Sequence, residues 1–78
     1  MNNRQELIER LSDLEHKQWM IWSKNLAENE KISLERFNRW QQLWIDYSDL
    51  TEKQKGQDRV WAIQSVTIFE DWLRGLIR

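Results

Sequence analysis

The sequence predicts an all-α fold, a compact domain of three helices. Apolar residues recur at helical spacing in three stretches, strand-like alternation is absent, and no proline interrupts the chain. The two glycines, Gly56 and Gly75, leave the remaining positions to residues that helices tolerate.

The first helix is expected from Gln5 to Ala27. At about 100° per residue, Leu7, Ile8, Leu11, Leu14, Trp19, Ile21, Trp22 and Leu26 gather on one arc about 160° wide. Trp22 falls near the middle of that arc and is expected in the core, whereas Trp19 falls at its border. The polar stretch "AENEKIS" then breaks the pattern. Ser33 is a good N-cap for a second helix, and Glu35 faces the positive end of its dipole. Ile32 and Phe37 have the spacing of a hydrophobic staple. Leu34, Phe37, Trp40 and Trp44 carry the apolar side to Trp44 or Ile45, and "IDYSDL" is expected to be a non-helical joint.

"TEKQ", Thr51 to Gln54, is a capping-box pattern that starts a third helix running to near the chain end. Its apolar residues, from Trp61 and Ala62 through Val66, Ile68, Phe69, Trp72 and Leu73 to Leu76 and Ile77, span about half the cylinder, more than one neighbour covers. Helix three is therefore expected to lie centrally and also to meet another copy in a homo-oligomer.

The totals point the same way. Seventy-eight residues make one domain, 1–78, with little core to spare. No cysteine can staple it and one histidine cannot supply a zinc cluster, so six tryptophans or a second copy must supply the burial. Twelve basic and thirteen acidic residues nearly cancel, which argues against a duplex-DNA binder. The N-terminus lacks an apolar signal core and no run reaches membrane-spanning length, so a soluble cytoplasmic protein without a membrane partner is expected.

Several polar residues fall in apolar places. Glu15 and Gln18 lie inside the arc of helix one, and Asp58 and Ser65 inside that of helix three. A buried carboxylate is costly unless paired, so these groups form either a structural network or a polar pocket. His16, at the edge of the arc, has the place of a half-exposed hydrogen-bonding residue. No nucleophile accompanies it, and no cofactor or metal is implied. Most of the tryptophans are expected in the core. Even so, Trp40 and Trp44 share a helix with Arg36 and Arg39, and rings beside guanidinium groups suit flat anionic ligands.

"LEHKQW" resembles the H-x-x-W opening helix of the ryanodine-receptor repeat domain, also found as a stand-alone module in bacteria and phages. "LWIDYSDLTEKQKGQDRVWA", Leu43 to Ala62, is similar to that domain's second half. His16 and Trp19 match the first motif; Tyr47, Leu50, Lys55 and Asp58 match the second. In place of the family's glycine–tryptophan–tyrosine–glycine segment, the chain has a plain helix.

The resemblance implies a non-enzymatic module. In a phage it could sequester a nucleotide-type immune signal, such as a cyclic nucleotide, in the host cytoplasm. Combining motif positions with the chemistry above, Trp19 and Tyr47 would stack, Arg39 and Arg59 would hold phosphate, and His16 with Asp58 would read a base or ribose edge. The alternative is a homo-oligomeric structural or interaction module that docks on a host or viral protein through its aromatic stripe.

Overall fold

Asn2 starts the first helix, α1 (Asn3–Asn29), in a computed structural model that describes residues 2–77, the Ile77 side chain excepted. The Asn2 side chain accepts from the Gln5 amide at 2.8 Å, and the Gln5 side chain accepts from the Asn2 amide at 3.1 Å. This reciprocal cap sets the start two residues before Gln5.

The second helix, α2 (Leu34–Gln41), is capped as expected: the Ser33 hydroxyl accepts from the Arg36 amide at 3.0 Å. It stops short of Trp44. The Leu43 and Trp44 amides bond three residues back, to the carbonyls of Trp40 and Gln41. Such i→i−3 bonds tighten and close a helix end. The Trp44 indole then donates to the Ser23 hydroxyl at 2.9 Å, fixing the exit from α2 to α1.

The joint also contains a 3-10 turn, Tyr47–Asp49, capped by Asp46 through the Ser48 amide. The third helix, α3 (Glu52–Ile77), opens with the expected box: Thr51 accepts from the Gln54 amide at 3.2 Å, and the Gln54 side chain accepts from the Thr51 amide at 2.9 Å. Among the described residues every element is thus helical. The Ile77 side chain, expected on the apolar arc, lies outside the described residues.

α1 and α3 run antiparallel. Arg4 pairs with Glu70 at 3.1 Å, and His16 meets Asp58 at 3.5 Å, so the helices advance in step. Ile8, Ala62 and Val66 form the buried cluster between them, with Leu11 packed against it. Ser12 and Ala62 are fully buried, and their small side chains let the two backbones approach closely.

Two expectations need correction. The domain is elongated rather than compact, at 52 × 25 × 14 Å, because each long helix overhangs the other. α1, not α3, is the central element. α3 lies along its first half, and α2 packs Trp40 against Trp19 and Trp22 further along it.

The buried face of α1 is also rotated from the expected arc. It runs through Ile8, Ser12, His16 and Ser23, while Ile21 is 72% and Trp22 57% exposed. None of the six tryptophans is fully buried. No helix among the described residues is long and apolar enough to cross a membrane.

Candidate functional site

A cleft of about 350 Å³ opens where α1, the end of α2 and the start of α3 converge. Glu15, His16 and Trp19 come from one helical turn of α1, at the spacing that places neighbours on one face. Trp40 and Leu43 close the α2 side. Asp58 and Trp61, again three apart, line it from α3, and buried Leu50 contributes from the joint.

The rings form adjoining walls. Trp19 and Trp40 meet edge-to-face, centroids 5.9 Å apart and planes 81° apart. His16 stacks on Trp19 at 6.0 Å. On its other contacts, Trp40 meets Trp22 at 5.8 Å and carries the Arg36 guanidinium 5.8 Å from its centroid.

His16 is 3% exposed, not half-exposed as its position at the arc's edge predicts. Its Nε2 lies 2.8 Å from the Ile45 carbonyl. A carbonyl only accepts, so Nε2 carries a proton. Nδ1 therefore faces Asp58 Oδ2, at 3.5 Å, across a gap that one shared proton makes attractive. Burial pushes the Asp58 carboxyl above its ordinary value, His16 pulls it down, and the Glu15 carboxylate pushes it up again.

A second polar cluster lies behind the cleft. The Tyr47 hydroxyl donates to Glu9, and Arg59 Nε donates to the other Glu9 oxygen at 2.9 Å. The Arg59 guanidinium also reaches Glu52 at 2.8 Å. Lys55 sits 5.3 Å from the Tyr47 ring centroid. Burial pushes the Glu9 carboxyl up, but hydrogen bonds from Tyr47 and Arg59, with the Arg59 charge, hold it below its ordinary value. Burial and the Glu9 contact push the Tyr47 hydroxyl up to about 12.

The six residues singled out from the sequence therefore separate. His16, Trp19 and Asp58 line the cleft together. Tyr47 does not line it; its ring packs 6.4 Å from His16 and its hydroxyl points to Glu9. Arg59 is engaged by Glu9 and Glu52, outside the lining. Arg39 sits exposed on α2, also outside it. The pairing of two phosphate-holding arginines with the ring pocket is thus not what the geometry assembles.

Trp40, Trp61 and Glu15 take their place. The signal for Glu15 was its polar character inside an apolar arc. Trp61 carried none, since it reads as one more core ring. No family model, curated protein or solved structure matches the chain.

Proposed function

We propose that this chain is a non-enzymatic binding module whose ligand site is the cleft between Trp19, Trp40 and Trp61. The carrying observation is the convergence of three indoles, Glu15, buried His16 and its partner Asp58 on one open space. Recognition sites are concave and set placed polar groups among aromatic and aliphatic side chains.

The nucleotide form of this reading keeps its base-contacting half, since Trp19, His16 and Asp58 share the cleft. Its phosphate half is weaker, because no lysine or arginine is among the described lining residues. A phosphate would have to stay outside, near Arg36 above Trp40.

Thermal denaturation with a panel of nucleosides, nucleotides, cyclic dinucleotides and small amines tests the proposal. A ligand at 100 times its dissociation constant adds about 2.7 kcal/mol, a rise of several degrees. The rise should vanish in Trp19→Ala. No shift across the panel, or a shift unaffected by that substitution, would remove the cleft from consideration.

A second reading, self-association, is favoured by a different observation. Ile68, Trp72 and Leu76 form an exposed apolar strip at four-residue intervals along the last part of α3. A second copy of the chain is the occupant we propose for it, making the module a homo-oligomer.

A further inference from the structure

Resting on the reading of the cleft as a ligand site, we infer that the group it takes is an organic cation with an alkylammonium headgroup. Charge comes first. The described lining holds two carboxylates and one histidine, with no lysine or arginine among them. When one proton is shared between His16 and Asp58, that pair is neutral and Glu15 leaves one negative charge. A monocation balances it, whereas a phosphate adds to it.

The walls supply the rest. An indole face attracts cations through its quadrupole, most strongly among the aromatic side chains. Trp19 and Trp40, with planes 81° apart, present two directions of ring surface at one corner. Trp61 lines the same cleft from α3 and is 60% exposed, so its ring is open to a ligand from solvent. Trp40 already carries a cation in the structure: the Arg36 guanidinium lies over it, outside the lining.

An alkylated ammonium suits such a site better than a bare one. Its charge is spread over methyl groups that pack on rings, and it makes few hydrogen-bond demands. Among the described lining residues, the acceptors with formal charge are Glu15 and the partly engaged Asp58.

The test uses the whole chain and tryptophan fluorescence, titrated with choline, with its neutral isostere 3,3-dimethylbutanol, and with adenosine monophosphate. Choline should quench, and the isostere should bind at least about fivefold more weakly. Glu15→Gln and Trp61→Ala, both at accessible positions, should each weaken choline about threefold or more, while Leu34→Ala, exposed and outside the lining, leaves its affinity unchanged. Equal binding by the isostere overturns the cation and leaves the cleft as a site for neutral ligands. Binding of the nucleotide but not choline, lost in Trp61→Ala, does the same in favour of an anion. Failure of choline to bind overturns the inference, and the cleft itself falls only if the wider thermal panel is also silent.

Discussion

The Tyr47 hydroxyl donates to Glu9, joining the 3-10 turn to α1 across 38 positions of sequence. Arg59 of α3 holds the other Glu9 oxygen, so one carboxylate ties three elements together. Behind a core as small as Ile8, Ala62 and Val66, this polar knot fixes where α3 begins relative to α1. The cleft walls depend on that placement, because Asp58 neighbours Arg59 in sequence.

Tyr47→Phe removes the hydroxyl and keeps the ring. Glu9 retains Arg59, so the loss at pH 7 should be about 1–2 kcal/mol in urea denaturation. The alkaline response is more specific. A hydroxyl raised to about 12 in the folded state contributes stability that is full below pH 10 and lost as pH rises through 12. The wild type should lose on the order of 3 kcal/mol across that window, and Tyr47→Phe should lose less. Identical alkaline curves for the two proteins would refute the burial of this hydroxyl.

Glu9 works in the opposite direction. Its carboxyl is held below its ordinary value, so its contribution is full above pH 4.5 and fades as pH falls through the depressed folded value. Arg59→Ala should cost about 1–2 kcal/mol at pH 7, a modest figure because both groups are partly solvated. The gap between wild type and variant should shrink toward pH 3. A gap that stays constant would mean Arg59 acts by packing its stem rather than by charge.

Local signals were the legible part of this chain. Ser33, Thr51 and Gln54 act within three residues of their partners, and the structure caps helices where they stand. The buried face of α1 was less legible, because hydrophobic projection gives weight to large apolar groups. Ser12 and Ser23 occupy that face for their small size, and Ser23 also to receive the Trp44 indole. The place of Arg59 is illegible for another reason. Its partner Glu9 lies 50 residues away, beyond any spacing rule, so the guanidinium looked free to bind a ligand.

Ser12 offers a direct check of the close approach between α1 and α3. Its hydroxyl already bonds the Ile8 carbonyl of its own helix at 2.7 Å, so Ser12→Ala should change stability by less than about 1 kcal/mol. Ser12→Leu has no room and should destabilise by about 1–3 kcal/mol or more. Chemical denaturation compares the two. If leucine is tolerated as well as alanine, the helices are not packed as tightly as full burial of Ser12 implies.

Asp58 should separate stability from binding. Burial raises its carboxyl, so the folded state disfavours its charge: the stability it contributes is full below pH 3.8 and lost as pH rises through the raised value. Asp58→Asn should therefore be neutral or slightly stabilising at pH 7 in the free protein. Because the proton-sharing pair is already neutral, the same substitution should weaken choline less than Glu15→Gln does. Circular-dichroism melting and choline titration of one preparation measure both. A variant that is clearly destabilised would show that the ion pair with His16 outweighs the cost of burying the charge.

The exposed end of α3 sets the last expectation. Phe69 stacks on Trp72 with centroids 6.0 Å apart, and Trp72 remains 58% exposed. On α1, Leu7, Leu14 and Ile21 repeat at intervals of seven and are exposed as well. Such stripes resemble the seams through which helices pair, and a small chain gains burial by pairing them. Sedimentation velocity at increasing concentration should show a species larger than one chain. Ile68→Glu or Trp72→Glu on the α3 strip should return it to monomer without loss of helix content, since neither position is buried in the single chain. If the larger species survives both, the α1 stripe becomes the seam to test, through Leu14→Glu. A monomer at every concentration would rule out the second copy on either surface.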